Sequence, residues 1–310
     1  MLKKTDKILI AGQEGMVGSA VYRLLKKNKY KIIECKRNDL NFLDQNKVTS
    51  WFKKNKPNIV INACGKVGGI IDNLKFLEKY LYENTMIGLN LVKASHLNNV
   101  DIFINLGSAC VYPKKTKQPI KEEYLLSSFL EPTNEGYALA KIITMKYCQY
   151  IGDKFKKKFL TLQPANLYGE NDNFDDKSSH VIASLLKKFH YAKIKNKKTV
   201  EVWGSGNVRR EFLNVDDLAS AILFCIKKRI KHKIINVGSG EDISIKKLAI
   251  KFKELTNFKG KIIFNRKYPD GVKVRKLDFR KLHNKGWKPK ITLDKGIIKY
   301  YEYYKQINKN

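Results

Sequence analysis

Four residues near the middle of the chain have side chains that can move protons or hold a carbonyl oxygen. Ser108 and Cys110 follow an apolar run in "NLGSACVYP", and Tyr137 and Lys141 stand one helical turn apart in "EGYALAK". Residues four apart share a helix face, so we expect the Lys ammonium to lie beside the phenol and lower its pKa. A strand-end hydroxyl can hold a ketone oxygen while the phenol protonates it. Ser108, Tyr137 and Lys141 therefore indicate reduction of a ketone.

A glycine-rich segment near the N-terminus indicates where the reductant binds. "AGQEGMVGSA" places Gly12, Gly15 and Gly18 directly after a strand-like run and at the start of an amphipathic helix. In such a turn, one glycine provides the dihedral angles, one lets the backbone approach a pyrophosphate, and one packs helix on strand. The helix N-terminus then offers N–H groups to the anion. The segment predicts a dinucleotide site.

The end of the second strand selects between the two nicotinamide dinucleotides. An acidic side chain there hydrogen-bonds a ribose 2′-hydroxyl, whereas a basic one receives a 2′-phosphate. The stretch "IIECKRNDL" offers Glu34 for the first and Lys36 with Arg37 for the second. Arg37 lies just past the strand, where the ribose should sit, and Glu14 in the glycine loop slightly opposes a phosphate. We expect NADP(H).

The elements that must position these residues alternate along the first half of the chain. The strand-like runs "KILIAG", "YKIIEC", "NIVINACG", "DIFINLGS" and "FLTLQP" are separated by segments with helical periodicity. This alternation predicts an α/β fold, a Rossmann-like doubly wound parallel sheet with helices on both faces. Ligands bind at the carboxyl ends of such strands, which is where Ser108 lies.

Beyond about residue 166 the pattern becomes irregular, which predicts a smaller, interleaved C-terminal α/β lobe. "NVDDLASAILFCIKKR" reads as a helix capped by Asn214 or Asp216. We expect residues 1–165 to form the dinucleotide-binding domain, with 206–235 returning to it. Residues 166–205 and 236–310 would then form the substrate lobe.

Composition narrows the class of protein further. The 310 residues carry 62 Lys and Arg against 29 Asp and Glu, a net charge of +33, but the lysines are scattered and not interleaved with stacking aromatics. We therefore expect an anionic small-molecule ligand and no nucleic acid. No run approaches the roughly 18 apolar residues of a membrane span. Five single cysteines without metal-ligand spacing indicate free thiols in the cytoplasm and no metal site.

Taken together, these motifs resemble the extended short-chain dehydrogenases/reductases, and longer blocks resemble the GDP-L-fucose synthase family. The blocks, which occur in one order along nearly the whole chain, include "KVGGI", "LGSACVYPKKTKQPIKEEYLL", "LEPTNEGYALAKI", "NLYGENDNF", "SHVIASLLKKFH", "VWGSGNVRREFLNVDDLA" and "INVGSGEDISIKKLA". The resemblance implies NADPH-dependent reduction of the C4 ketone of a GDP-4-keto-6-deoxy sugar, with epimerisation at C3 and C5. It also implies a homodimer.

The same resemblance gives the thiol a role. In the family, a Cys and a His on opposite sides of the sugar exchange protons at the carbons flanking the ketone, and Cys110 and His180 occupy those motif positions. Protons next to a ketone are acidified, and inversion requires removal from one face and delivery to the other. The implied catalytic residues are Ser108, Cys110, Tyr137, Lys141 and His180.

The remaining site residues follow from the family's motifs, position by position. The implied cofactor-binding residues are Gly12, Gln13, Glu14, Gly15, Met16, Val17, Gly18, Arg37, Leu40, Leu106, Gly107, Lys141, Pro164, Asn166, Leu167 and His180. Cationic and aromatic side chains suit a nucleoside diphosphate. The implied substrate contacts are Lys188, Trp203, Arg210 and Lys276.

Four positions depart from the family's pattern and leave an alternative open. Glu14 stands where the family has a basic residue, Ala109 where it has Ser, Ala165 where it has Thr, and Lys188 where it has Arg. The alternative is a related C4-reductase for another GDP-4-keto sugar, such as a 6-deoxy-heptose, with weak or absent epimerase activity. A dinucleotide-binding module without catalysis is disfavoured, because it has no use for an activated phenol.

Overall fold

The computed structural model describes residues 2–176, 178–268 and 270–308 of the chain. Runs rich in Ile, Val and Leu form most of the buried strands, as their β propensity predicts. Within the described residues the strands are β1 (Ile8–Ala11), β2 (Ile32–Ile33), β3 (Ile59–Asn62), β4 (Ile102–Leu106), β5 (Lys158–Pro164), β6 (Asn166–Tyr168), β7 (Thr199–Trp203), β8 (Arg209–Asn214), β9 (Ile234–Val237), β10 (Asp242–Ser244), β11 (Lys261–Asn265) and β12 (Val274–Arg275).

Six of these strands form one sheet in the order β2-β1-β3-β4-β5-β9, and every neighbouring pair is parallel. The chain order reverses between β1 and β3, which opens a crevice outside the carboxyl ends of the strands. Gly12 directly follows β1, and Ser108 lies two residues after β4, so both lie at this edge of the sheet. The predicted doubly wound α/β fold is confirmed.

Helices cover both faces of this sheet. Ile8 and Ile10 of β1 belong to the core that includes the inner residues of α1 and α7, whereas Leu9 and Ala11 belong to the core under α2 and α4. The helices are α1 (Met16–Lys27), α2 (Gln45–Asn55), α3 (Ile70–Lys75), α4 (Leu77–Leu97), α5 (Glu135–Lys154), α6 (Val181–Ile194), α7 (Val215–Lys228), α8 (Ile245–Leu255), α9 (Arg280–His283) and α10 (Leu293–Ile307). Successive residues of β1 face opposite cores, which explains why all four are apolar.

No described helix is both long enough and apolar enough to span a membrane.

A row of buried polar side chains crosses the sheet just below the carboxyl edge. The Asn62 amide donates to the Asn105 side-chain oxygen at 3.0 Å, and the Asn105 amide donates to the Thr161 hydroxyl at 3.3 Å. These residues occupy matched positions on β3, β4 and β5. Because buried amides require partners, the row favours one register for the three central strands.

A second, mixed sheet is centred on β8. Strands β6 and β12 pair with β8 in parallel and β10 pairs with it antiparallel, while β7 and β11 form a separate parallel pair. A hydrophobic cluster of its own joins α6, β7, α8 and α10 through Leu186, Val202, Phe252 and Tyr304. The residue bounds expected for the two lobes stay a prediction.

Side-chain caps fix the starts of several helices. The Asn214 side chain accepts the backbone N–H of Asp216 at 2.9 Å, so Asn214 is the cap of α7 that the sequence allowed. Asp44, Ser244 and Thr292 begin α2, α8 and α10 in the same way. The sequence analysis did not identify α3, β8 or α10, although the buried residues of α10 (Ile297, Tyr300, Tyr301 and Tyr304) recur with helical spacing.

Candidate active site

The turn between β1 and α1 has the shape of an anion-binding loop. Gly12 has φ of +83°, and a Cβ there would lie 2.8 Å from the Ala63 carbonyl oxygen. A Cβ at Gly18 would lie 1.9 Å from the Gly12 carbonyl oxygen. At Gly15 the nearest atom would be 3.5 Å away, and the first turn of α1 holds no acidic residue. The helix N-terminus is therefore open to an anion, which fits the pyrophosphate of a dinucleotide.

The end of β2 presents an acidic and a basic side chain, and the acidic one is already engaged. The Glu34 carboxylate accepts hydrogen bonds from the Tyr22 hydroxyl at 2.7 Å and the Gln13 amide at 3.1 Å. Glu14 accepts the backbone N–H of Arg37 at 2.9 Å. The Arg37 side chain is exposed. A cationic group thus faces solvent next to the glycine turn, while Glu34 is held by neighbouring side chains.

The other predicted cofactor residues lie around the same edge. Met16 and Val17 form the first turn of α1, Leu40, Leu106 and Pro164 are buried, and Leu167 lies in β6. The Asn166 amide donates to the Glu211 carbonyl oxygen at 2.8 Å. Gly107 has no room for a side chain, because its Cβ would lie 2.0 Å from Oε1 of Gln163.

Ser108 is fixed from below by a buried glutamine. Its backbone N–H donates to Oε1 of Gln163 at 2.6 Å, and Gln163 on β5 is completely buried. The Ser108 hydroxyl caps a short 3₁₀ turn (Ala109–Val111) by accepting the backbone N–H of Cys110 at 3.2 Å. The strand-end hydroxyl and the thiol therefore belong to one tight turn.

Tyr137 and Lys141 share a face of α5, as their spacing predicts. The Lys141 ammonium lies 5.6 Å from the centre of the Tyr137 ring. Burial raises the pKa of Tyr137 well above its usual value, and nearby Cys110 raises it further, while a hydrogen bond with Ser108 lowers it. We expected Lys141 to lower this pKa; instead the pKa is raised, and burial is the largest cause. The phenol is protonated at neutral pH.

Lys141 is the charged group at the bottom of the site. Its ammonium donates to the Leu106 carbonyl oxygen at 2.9 Å, and only 8% of the residue is exposed. Burial lowers its pKa to about 8, with Cys64 and Cys110 opposing that change. The ammonium therefore predominates at neutral pH and is lost a little above it.

Two arginines of the second sheet approach the turn that holds Cys110. Arg275 donates to the carbonyl oxygens of Ala109 and Tyr112. Arg210 lies opposite Arg275 in the β8–β12 pair. Burial and the charge of Arg275 lower the pKa of Arg210 to about 10, and Cys110 is among the groups that oppose this shift. Arg210 of the second sheet and Lys141 of α5 thus both interact electrostatically with Cys110.

Residues 65–69 run from the Lys141 side of the site to the loop before α6. A Cβ at Gly65 would lie 3.6 Å from the Lys141 ammonium, and the Gly69 N–H donates to the Ser178 carbonyl oxygen at 2.8 Å. His180, the exposed residue that precedes α6, follows Ser178 by two positions.

A carboxylate and the C-terminal helix lie behind His180. Asp172 accepts a hydrogen bond from the Tyr300 hydroxyl of α10 at 2.6 Å. Burial raises the pKa of Asp172, while the Tyr300 hydrogen bond and the charge of His180 oppose the rise. The loop before α6 is thus held by a helix that the sequence patterns did not predict.

Of the predicted substrate contacts, Lys188 and Trp203 come together and Lys276 points elsewhere. The Lys188 ammonium lies 4.8 Å from the centre of the Trp203 ring and donates to the Glu201 carbonyl oxygen at 3.1 Å. Trp203 stacks on Tyr268 with ring centres 4.3 Å apart. Lys276 forms an ion pair with Asp242 at 3.6 Å. Tyr268 extends the aromatic surface, which is exposed.

Sequence reasoning missed several of these site residues. Gln163 could have been noticed as a polar residue in the apolar run "FLTLQP", and Arg275 as the neighbour of Lys276 in "VRKLDF". No local signal marks Asp172 or Tyr268. In the described part of the chain, no three His, Cys, Asp or Glu side chains are grouped so that they could hold a metal ion.

The fold and the site together define a short-chain dehydrogenase/reductase. The glycine turn, a strand-end serine, and a tyrosine and lysine four residues apart meet at the carboxyl edge of one parallel sheet. Residues 8–238 match the NAD dependent epimerase/dehydratase family. A GDP-L-fucose synthase from Sinorhizobium fredii is 41% identical over 96% of this chain and 94% of its own length. The chain belongs to this epimerase/dehydratase family and, within it, to the GDP-L-fucose synthase family.

Solved structures with similar backbones include two reductases of other GDP-sugars. A GDP-6-OMe-4-keto-L-xylo-heptose reductase from Campylobacter jejuni is 35% identical, with a TM-score of 0.94 and 99% of both chains covered. A GDP-mannoheptose C4 reductase from Campylobacter jejuni with NADP bound is also 35% identical, with a TM-score of 0.90 and coverage of 98% and 100%. The chain is thus similar to an enzyme of fucose synthesis and to heptose reductases.

Proposed function

We propose that this protein reduces the C4 ketone of a GDP-4-keto-6-deoxy sugar with NADPH, after inverting the neighbouring centres C3 and C5. One observation carries the proposal: Ser108, Cys110, Tyr137 and Lys141 form a single cluster after β4, beside the glycine turn. The family adds the substrate class, because its relatives are named for GDP-linked sugars.

NADP(H) is the proposed cofactor. The glycine turn and the N-terminus of α1 would hold its pyrophosphate, and the exposed Arg37 would receive the 2′-phosphate, since Glu34 is engaged by Tyr22 and Gln13. The heptose reductase with NADP bound supports this choice. When bound, NADPH supplies the hydride for the carbonyl carbon.

In the reduction, Ser108 and Tyr137 act on the ketone oxygen. Burial keeps the phenol protonated, which is the state required of an acid that donates to this oxygen. Ser108 holds the oxygen through its hydroxyl, at a position fixed by Gln163. The Lys141 ammonium, anchored on the Leu106 carbonyl, stabilises the negative charge that Tyr137 acquires when it gives up its proton.

In the epimerisation, Cys110 is the proposed base and His180 the proposed acid. The thiolate removes the proton from a carbon next to the ketone, and the imidazolium delivers a proton to the opposite face. Both side chains are accessible, Cys110 partly and His180 largely. Arg210 and Arg275 make the surroundings of Cys110 favourable for the negative charge of an enolate.

The substrate lobe is proposed to bind the GDP moiety. Arg210 and Lys276 are the proposed partners of the diphosphate, and Lys188, Trp203 and Tyr268 provide a cation beside an exposed aromatic surface. In this assignment, residues 1–165 and 206–235 form the NADPH domain and residues 166–205 and 236–310 form the sugar-nucleotide lobe. Arg210 contributes to the diphosphate site from β8 of the first of these. Lys276 would have to exchange its ion pair with Asp242 for the phosphate.

A second candidate is a C4-reductase for a GDP-4-keto-heptose, with little or no epimerisation. It is favoured by the backbone similarity to a heptose reductase over 99% of both chains. Ala109 stands between Ser108 and Cys110, in the turn that would face the sugar, where a hydroxyl is missing relative to the family's pattern. The two candidates share the reductase residues and differ in the sugar.

Product analysis separates the two candidates. The protein is incubated with NADPH and a panel of GDP-4-keto-6-deoxy sugars of the mannose and heptose series, and the products are identified by NMR. We expect GDP-L-fucose from the mannose-derived ketone. Reduction without inversion, or turnover of the heptose alone, would replace the first proposal by the second. Absence of any NADPH oxidation with every sugar would contradict both.

We further propose a homodimer in the cytoplasm. Helices α4 and α5 pack against each other and present Tyr82, Ile143 and Tyr150 to solvent, an apolar surface that a second copy of the chain would cover. All five cysteines are unpaired thiols, which suits a reducing compartment. Light scattering after gel filtration tests the assembly, and a monomeric mass would contradict it.

A further inference from the structure

A buried arginine from the second sheet holds the catalytic turn at both ends. Arg275 is 8% exposed, and its guanidinium donates to the carbonyl oxygen of Ala109 and, at 3.4 Å, to that of Tyr112. These two carbonyls belong to the residues just before and two after Cys110. One planar side chain therefore spans the short turn that carries the thiol.

The segment that carries Arg275 is hydrogen-bonded to Ile120 of the first lobe. The Ile120 N–H donates to the Lys276 carbonyl oxygen at 2.8 Å, and the Asp278 N–H donates to the Ile120 carbonyl oxygen at 2.8 Å. On its other side, β12 pairs with β8, where Arg275 lies opposite Arg210. Arg275 thus connects β8, which carries Arg210, to the turn that carries Cys110.

Neighbouring residues of this segment have different partners. Arg275 contacts the turn around Cys110, whereas the Lys276 ammonium pairs with Asp242. Successive side chains of an extended segment point to opposite faces, so the two cations cannot replace each other. Both hydrogen bonds come from one guanidinium nitrogen, Nη1, so a shorter ammonium side chain at this position can keep part of the contact.

We infer that Arg275 is a positioning residue, which holds the Ala109–Val111 turn so that the Cys110 thiol faces the carbon next to the ketone. The inference rests on the proposed function and deepens its epimerase half. Ser108 has a separate anchor, because Gln163 on β5 holds its backbone N–H from within the first sheet. Removal of Arg275 therefore disturbs proton exchange more than hydride transfer.

Two assays on the intact protein separate these steps. Proton exchange is followed by NMR as deuterium uptake from heavy water at C3 and C5 of GDP-4-keto-6-deoxymannose, with NADP⁺ present so that the ketone is not reduced. Hydride transfer is followed in the reverse direction, as NADPH formed from GDP-L-fucose and NADP⁺, which requires no inversion. Each rate is measured over a range of sugar concentrations.

The variants are Arg275→Gln, Arg275→Lys and the control Arg280→Gln. Arg280 lies on the same segment and is mostly exposed, with Asp278 as its ion-pair partner. In Arg275→Gln we expect the saturated exchange rate to fall about 10-fold or more, with reverse hydride transfer within about 2-fold of the parent. Arg275→Lys should recover part of the exchange rate, and Arg280→Gln should match the parent in both assays.

Other results would overturn the inference in recognisable ways. Equal loss of both activities, or a higher KM for the sugar at unchanged turnover, would make Arg275 a substrate-binding or general structural residue. Unchanged exchange in Arg275→Gln would remove its role altogether. If Arg275→Gln fails to fold, the test falls to Arg275→Lys. The inference is then contradicted if the ratio of the exchange rate to the hydride-transfer rate is as high in Arg275→Lys as in the parent. If the parent itself shows reverse hydride transfer and no deuterium uptake, the epimerase half of the proposed function fails first.

Discussion

The reductase and epimerase groups share one site, and Ser108 and Cys110 are only two residues apart, yet the two groups are held in different ways. Ser108, Tyr137 and Lys141 lie on the end of β4 and on α5, and their anchors are Gln163 and the Leu106 carbonyl of the same sheet. Cys110 and His180 lie on a 3₁₀ turn and at the start of α6. Their surroundings come from distant parts of the chain: Arg275 for the turn, and Asp172 with α10 for the histidine loop.

This difference shows how one fold can carry two reactions whose residues differ in their sensitivity to structural change. The reductase residues depend on the register of buried strands, which is costly to alter. The epimerase residues depend on a short turn and a loop, whose geometry can shift without disturbing the sheet. Inversion can therefore weaken while reduction persists, which is the relationship between our first candidate function and the second.

The largest effect is expected from the phenol of the reductase half. Tyr137→Phe removes the proton donor and keeps the ring, so hydride transfer in either direction should fall by about 100-fold to 10,000-fold. Deuterium uptake at C3 and C5 should persist, because the thiol is untouched. NADPH oxidation and NMR exchange measure the two steps. Tyr147→Phe, a change at a partly buried tyrosine of the same helix, is the control. Near-normal NADPH oxidation in Tyr137→Phe would refute the assignment.

The corresponding change in the epimerase half is Cys110→Ser. A serine hydroxyl does not ionise near neutral pH, so deuterium uptake should fall by roughly 100-fold while reverse hydride transfer from GDP-L-fucose continues. Cys64→Ser is a matched control, since Cys64 also lies near Lys141 but its pKa is raised by burial. Unchanged uptake in Cys110→Ser would mean that the thiol only fills space.

A smaller effect concerns pH and returns to the reductase half. Burial lowers the pKa of Lys141 to about 8, whereas that of Tyr137 is raised far above neutrality. As pH rises from 7 to 9, the ammonium fraction falls roughly 10-fold, and kcat/KM for NADPH-dependent reduction should fall with it. Lys141→Arg should move this alkaline limb upward, because a guanidinium stays charged. A limb at the same pH in Lys141→Arg would assign it to another group.

The smallest effect is expected at the ribose end of the cofactor site, away from both the reductase and the epimerase residues. Arg37→Ala should raise the KM for NADPH by about 5-fold to 10-fold and leave NADH kinetics unchanged, because the phosphate is remote from the reacting carbon. Glu14 beside Arg37 already weakens the phosphate site, which limits the effect. Lys31→Ala, another exposed cation near β2, is the control. Equal use of NADPH and NADH by the parent would show that Glu34 governs the ribose.

Local patterns predicted the parts of the fold and site that are formed locally. The glycine turn, the shared face of Tyr137 and Lys141, and the alternation of strands and helices each depend on residues close in sequence. The predicted lowering of the Tyr137 pKa was wrong, because burial raises it. Burial depends on the whole fold, and the spacing of two residues does not report it.

Long-range contacts account for most of what the sequence did not reveal. Arg275 reaches Ala109 across 166 positions, and Tyr300 reaches Asp172 across 128. The strand "RREFLN" pairs with three other strands and buries its last four residues, polar Asn214 included, so no local alternation marks it. Choosing Arg275 over Lys276 as the cation at the turn requires the register of β12, which only the structure provides.

The central claim, that reduction and inversion are carried by separable groups of one site, is tested most directly by a crossed experiment. Tyr137→Phe and Cys110→Ser are each measured in both assays, deuterium uptake at C3 and C5 and reverse hydride transfer from GDP-L-fucose. We expect Tyr137→Phe to exchange deuterium and fail in hydride transfer, and Cys110→Ser to transfer hydride and fail in exchange. Loss of both activities in both variants would contradict the claim.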